Sequence, residues 1–252
     1  MAGLTEGASR ILRRVAVGAW QRRPTTPGEL YALTGVLLAA MATFAFVEIA
    51  GHVLQGNTTA FDRPLMLALR SASDITDPIG PRWLEEVARD ITALGSNVIL
   101  VIVTASVAVF LLLAHKRGAA WLVLASVGGG AALSSLLKLG FQRSRPDLVP
   151  HAVEVYTASF PSGHAMLSAV TYLTLGALLM RVQPGWAVKI YILSLAVLIT
   201  FLVGVSRVYL GVHWPTDVLA GWSIGAAWAL FCWAVALWLQ RAGQVEKEGF
   251  TS

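Results

Sequence analysis

Six apolar runs constrain this chain more than any other feature of it. They lie at roughly 31–51, 97–114, 119–139, 163–181, 187–205 and 216–239. A run of about 18 or more apolar residues is long enough to cross a bilayer as a helix, which satisfies its own backbone N–H and C=O groups. Composition agrees, since 56% of the 252 residues are hydrophobic and 13% are charged. Soluble domains carry about 25% charged residues. The sequence therefore predicts an all-α polytopic membrane protein, a six-helix bundle spanning 31–240. A basic segment, 1–30, precedes it and a short tail, 241–252, follows it.

The loops set the expected topology. Arg10, Arg13, Arg14, Arg22 and Arg23 precede the first span, and the positive-inside rule puts that end in the cytoplasm. Ile11, Leu12, Val15 and Trp20 form one face of a short interfacial helix, or else the segment is a basic tail. No short apolar region with a cleavage site precedes residue 30, so the first span is expected to stay in the mature protein. The turns at His115-Lys116-Arg117 and between Arg181 and Lys189 are expected to be cytoplasmic, as is the end carrying Arg241 and Lys247. The lone Cys232 excludes an intrachain disulfide and reads as core packing or lipid-facing. A net charge of +5 without an aromatic-basic stripe does not point to nucleic acid.

The longest connection runs from 53 to 96. Asp62-Arg63-Pro64 reads as a helix start with Pro64 at the first helical position. Pro81 opens a second helix, in which Leu84, Val87, Ala88, Ile91 and Leu94 share one face and Gly95 ends the run. That pattern predicts an amphipathic helix along the membrane, with Trp83 as anchor, acting as a packed lid without chemistry. Glu48 and His52 fall near the outer end of the first span, within reach of water. Gly128, Gly129 and Gly130 read as close helix packing, because a phosphate-binding Walker loop would need a Lys and a Ser or Thr directly after its glycines.

Alternation of the spans puts Lys138, Arg145, His164, Arg207 and His213 together on the outer side. Three permanent cations on the side that topology rules leave poor in Lys and Arg call for an anionic ligand. They belong to three blocks at span ends: Lys138 to Pro146, Pro161-Ser162-Gly163-His164, and Ser206 to Asp217. Phosphoryl transfer needs its oxygens clamped, a nucleophile in line and a proton for the leaving oxygen. Lys138, Arg145 and Arg207 supply the clamp. Ser162 can cap the following helix, and Gly163 lets an anion approach the unpaired amides of its first turn. Two histidines can divide nucleophile from acid, and Asp217, one helical turn after His213, can fix its tautomer.

The order and spacing resemble the type 2 phosphatidic acid phosphatase (PAP2) superfamily. Its pattern is Lys, six residues, Arg-Pro; then Pro-Ser-Gly-His; then Ser-Arg, five residues, His, three residues, Asp. All three blocks are complete. The resemblance implies that His213 is a nucleophile forming a phosphohistidine, that Asp217 orients it, and that His164 is the acid. It implies a phosphate-binding set of Lys138, Arg145, Ser162, Gly163 and Arg207, and no metal or other cofactor. Arg143 and His151 fall outside the pattern. Arg143 reads equally as a substrate contact or as a steering charge, and His151 as a solvated loop residue. Tyr209 and Trp214 read as packing or interface anchors. The function implied is removal of a terminal phosphate from a membrane lipid phosphate or diphosphate, of phosphatidic acid, phosphatidylglycerophosphate or polyprenyl diphosphate type. Loops this short suggest a bacterial inner membrane, and the arginine bias puts the site on the outer side with both termini inside. A lipid phosphotransferase using the same phosphohistidine stays open as an alternative, as does a non-catalytic lipid-binding or transport protein. The sequence carries no sign of oligomeric state.

Overall fold

The computed structural model describes residues 27–147 and 158–241. The basic N-terminal segment, His151 and Lys247 lie outside the described residues. Helices run α1 Pro27–Leu54, α2 Thr59–Leu67, α3 Arg82–Ala93, α4 Asn97–Leu113, α5 Arg117–Phe141, α6 Gly163–Arg181, α7 Trp186–Tyr209 and α8 Pro215–Arg241. Among the described residues the extended pairing is one isolated bridge, Arg70 to Pro78. Packing divides the chain into Met1–Thr34 and Gly35–Ser252. Of the first unit, residues 27–34 are described, as the opening turns of α1.

Among the described residues, five helices are long and apolar enough to cross a membrane: Ala32–Leu54, Arg117–Phe141, Gly163–Arg181, Trp186–Tyr209 and Pro215–Leu239. The expected second span differs. Its helix, α4, has 17 residues, about 26 Å at the helical rise and short of a hydrocarbon core of about 30 Å. It reaches a sixth span only together with α3, from which it is bent by 45°. Large apolar side chains such as Phe44, Val98, Phe110, Leu139 and Trp238 are exposed, as they are when lipid is the solvent.

The connection from α1 to α3 corrects one expectation. The second helix starts at Thr59, so Pro64 sits inside it and not at its first position. Asp62 does not cap that helix. It is fully buried and bonds residues far along the chain. The third helix does follow the amphipathic pattern, with Ala88 buried and Glu86, Arg89 and Asp90 exposed, although Val87 and Leu94 are exposed too. Glu48 and His52 are exposed, as anticipated, and Cys232 is buried.

α6 is the most enclosed of these spans, and it packs chiefly on α7 and α8. Small residues allow that approach. A Cβ at Gly221 would fall 2.8 Å from the Ser162 carbonyl oxygen, and one at Gly225 would fall 2.6 Å from that of Met166. Gly221 and Gly225 are four apart, so one face of α8 lies against the backbone of α6, the close contact that small-xxx-small spacing gives in a bilayer. Gly129 and Gly130 are likewise pressed by Trp228 and Val170, while Gly128 faces nothing within 4 Å.

The expected outcome is a pair of opposite effects. Gly225→Ala overpacks the α6–α8 contact and lowers the thermal midpoint in detergent, by the equivalent of about 1–3 kcal/mol. Gly128→Ala leaves the midpoint unchanged or raises it, because Ala favours a helix over Gly by up to about 1 kcal/mol. Equal shifts in the two variants would contradict the close approach.

Candidate active site

The start of α8 is the frame of the site. Pro215 occupies the first helical position, where its missing N–H costs nothing. Trp214 N–H donates to Asp217 Oδ2 at 3.0 Å, the reciprocal half of a capping box. Asp217 is thereby fixed, fully buried, directly below His213. His213 Nδ1 faces Asp217 Oδ2 at 3.4 Å and Ser159 Oγ at 3.3 Å. Ser159 donates its own proton to Asp217 Oδ2. The other ring nitrogen, Nε2, lies 3.3 Å from Arg145 Nη1, a donor. These partners agree on one tautomer, protonated at Nδ1 and bare at Nε2. Burial pushes the His213 imidazole from 6.5 down to about 4, against the opposing pull of Asp217. The ring is neutral and its lone pair is available at neutral pH.

The first block reaches the site by a sharp exit from α5. Gln142 adopts a left-handed conformation, φ 40°, and the chain beyond it delivers Arg143 and Arg145. Ser159 N–H donates to the Arg143 carbonyl at 2.9 Å. Phe141 and Phe160 pack with their rings tilted, 4.7 Å between centroids, and both touch Phe46 of α1, Phe160 by stacking and Phe141 edge-on. Arg145 also donates to the Val212 carbonyl at 3.0 Å, which holds its guanidinium beside His213.

The second block begins α6. Ser162 is its N-cap residue and its N–H donates to the Asp217 carbonyl at 3.0 Å, tying the starts of α6 and α8 together. Ser162 does not cap with its side chain, as the sequence suggested. Its Oγ is buried with no hydrogen-bond partner, and so is Arg207 Nε. A buried polar group left unsatisfied costs about 1–3 kcal/mol. These two donors are therefore available to an anion. Lys138 Nζ stands beside the first turn of α6, 3.4 Å from where a Cβ at Gly163 would lie, an ordinary contact distance. His164, at the second helical position, lies within electrostatic reach of Arg207, His213, Lys138 and Arg145. The sequence-predicted residues Lys138, Arg145, Ser162, Gly163, His164, Arg207, His213 and Asp217 thus converge. Among the described residues no group of three or more His, Cys, Asp or Glu could hold a metal ion.

Several residues of this region were not foreseen. Arg143 does not point at the anion site. Its Nη1 donates to Asp217 Oδ1 at 2.6 Å and its Nη2 to Asp62 Oδ2 at 2.7 Å, with further bonds to Thr58 and Thr216. Thr92, at the end of α3, accepts from Arg207 Nη1 at 3.0 Å. The break after α3 packs on the same wall, where a Cβ at Gly95 would lie 3.2 Å from the His164 carbonyl oxygen. The α3 segment, expected to be a packed lid without chemistry, thus bonds one of the cations that the sequence assigns to the clamp. Tyr209 and Trp214 pack as expected, their polar ends bonded to the carbonyls of Ile79 and Ser144.

Residues 119–241 match the family described as the PAP2 superfamily. The chain is 38% identical over 144 residues to phosphatidylglycerophosphatase B of Bacillus subtilis, covering 57% of this chain and 70% of that protein. The chain belongs to the PAP2 superfamily. It is also 37% identical over 89 residues to an undecaprenyl-diphosphatase of Sulfolobus acidocaldarius, 35% of this chain and 37% of that protein. A crystal structure of a transmembrane PAP2 type phosphatidylglycerolphosphate phosphatase from Bacillus subtilis aligns with a TM-score of 0.66 at 29% identity. That alignment spans 78% of this chain and 94% of that one. As a PAP2 protein the chain is a phosphatase, and all three of its blocks fall inside the matched range. Thr58, Asp62 and Thr92 fall outside it.

Vanadate, a phosphate analogue, reports on the clamp. Thr92→Val removes the acceptor that holds Arg207 and is expected to weaken vanadate inhibition about tenfold, since a hydrogen bond to a charged group contributes about 1.5–3 kcal/mol. Thr92→Ser keeps the oxygen and the affinity. Coincident inhibition constants for the three proteins would show that Arg207 needs no support from α3.

Proposed function

We propose that the chain hydrolyses the terminal phosphate of a membrane lipid phosphate or diphosphate through a phosphohistidine on His213. The observation that carries this reading is a neutral His213 with its bare Nε2 beside Arg145 and its Nδ1 held by Asp217. The buried donors at Ser162 and Arg207, which nothing else uses, stand in the same site.

In the first step His213 Nε2 attacks phosphorus and the bond from phosphorus to the lipid oxygen breaks. Protonated His164 gives its proton to that oxygen, which departs as an alcohol or, from a diphosphate, as the lipid monophosphate. Lys138, Arg145, Arg207, Ser162 and the first amides of α6 hold the remaining oxygens, where negative charge builds up. Asp217 steadies the positive charge on the ring. In the second step His164 takes a proton from water, the water oxygen bonds phosphorus, and the bond to Nε2 breaks. Phosphate leaves and both histidines are restored.

A lipid substrate fits because the clamp borders a lipid-facing surface: Leu136 and Leu139, beside Lys138 on α5, are 65% and 74% exposed. An acyl or prenyl tail stays in the bilayer while the headgroup enters the site. The named substrates of the two relatives have this form, a terminal phosphate on an apolar anchor. The arginine distribution supports a site on the outer face of a bacterial inner membrane with both termini inside. In this reading α3 lies along the membrane surface.

The test is phosphate release by purified protein in detergent, with chelator present, across phosphatidic acid, phosphatidylglycerophosphate and a polyprenyl diphosphate. Release is expected from at least one, and His213→Ala abolishes it. His164→Ala lowers it about 10²–10⁴-fold, the usual contribution of a general acid. That defect shrinks in the first step for p-nitrophenyl phosphate, whose leaving group departs without a proton. No release from any of these lipids, or release restored only by added magnesium, would contradict the proposal.

A further inference from the structure

Asp62 has no place in the three motif blocks, yet it is as deeply buried as Asp217. It stands on α2, more than 150 positions from the start of α8, and bonds that start directly. Its Oδ1 accepts the Thr216 N–H at 2.9 Å, one of the first amides of α8, which lack partners within the helix. Its Oδ2 accepts from Thr216 Oγ1 at 2.7 Å and from Arg143 Nη2 at 2.7 Å. The other arm of Arg143 reaches Asp217 at 2.6 Å. Two buried carboxylates therefore share one guanidinium, and only one of them touches a histidine.

We propose that Asp62 is a positioning residue for His213, acting through Arg143 and Asp217. Arg143 alone against Asp217 would make a one-to-one ion pair, with little negative charge left for the imidazole. Asp62 takes up part of the guanidinium charge and fixes its orientation. The trio of Asp62, Arg143 and Asp217 then carries one net negative charge, directed through Asp217 Oδ2 at His213 Nδ1–H. That charge steadies the ring cation formed when Nε2 bonds phosphorus. The inference rests on the reading of His213 as nucleophile.

Three proteins separate this role from a merely structural one. Asp62→Asn keeps the shape and the acceptor for Thr216 but removes the charge, so the whole of Arg143 falls on Asp217. Asp62→Asn with Arg143→Gln removes both charges and frees Asp217. The other groups that act on the ring are the same in every variant: Arg145 beside it, Arg207 from α7 and His164 from α6, with Lys138 of α5 acting on His164. The readout is the titration midpoint of His213, followed by NMR on protein labelled at histidine Cε1 and assigned with His213→Gln. The midpoint falls by about one unit in Asp62→Asn, as neighbouring charges do, and returns to near the wild-type value in the double variant, where Asp217 again carries the one net negative charge. In Asp62→Asn kcat on the lipid substrate falls roughly tenfold, one unit of basicity. KM holds, because the phosphate-binding side chains are untouched. The double variant recovers most of the rate. If Asp62→Asn does not fold, Asp62→Ser takes its place, with the same fall and the same recovery by Arg143→Gln expected. A midpoint in Asp62→Asn that coincides with wild type, together with a lower thermal midpoint, overturns the proposal. Turnover that persists in His213→Ala instead sinks the reading of the nucleophile itself, so the two failures are distinguishable.

Discussion

The site depends on one guanidinium placed between two buried carboxylates. Arg143 comes from the loop after α5, Asp62 from α2 and Asp217 from α8, so a single side chain joins three segments far apart in sequence. Taking charges out of water is costly, and the mutual attraction offsets it only when every lone pair and proton finds a partner. Every oxygen of the two carboxylates here has a donor. Thr216 completes Asp62, Ser159, Trp214 N–H and His213 complete Asp217, and Thr58 and Thr216 accept from Arg143. Removing one member of such a group leaves a buried charge uncompensated, which costs about 3–5 kcal/mol. The same arrangement that orients His213 therefore also fixes where α8 begins.

Helix packing makes that arrangement reachable. Each chemical group sits at or next to a helix end, and the ends meet only because α6 and α8 approach to backbone contact at Gly221 and Gly225. The Ser162 N–H on the Asp217 carbonyl then locks the two starts together. In a bilayer there is no hydrophobic force to press helices together, so close van der Waals fit and polar contacts at the ends have to do so. Stability and site geometry rest on the same residues.

The spans and the motif blocks were legible in the sequence for different reasons. Length and hydropathy locate a span well. The run 163–181 coincides with α6, while the second run gives a helix of 17 residues, because a polar stretch from Gly95 to Asn97 breaks it from α3. The motif residues stood out because cations, histidines and a helix-breaking Gly at span ends have few other uses. Asp62 did not, since Asp-Arg-Pro has the local form of a helix start, and nothing local reveals a partner at Arg143 or Thr216. Thr92 was hidden likewise, an ordinary polar position on an amphipathic helix until the fold brings Arg207 to it. Arg143 stood open between a substrate contact and a steering charge, because a basic residue in a basic loop carries no mark of where its fork points. Local chemistry is readable from spacing, whereas pairing across the fold is not.

The most direct measurement is the site of phosphorylation on the protein. Base-quenched turnover of a phosphate-labelled lipid, followed by peptide mapping under conditions that preserve phosphohistidine, locates both the residue and the ring nitrogen. With His213 Nδ1 turned to Asp217 and Nε2 turned to Arg145, the label is expected on His213 at Nε2. Label on His164, or on the Nδ1 nitrogen of His213, would contradict the account.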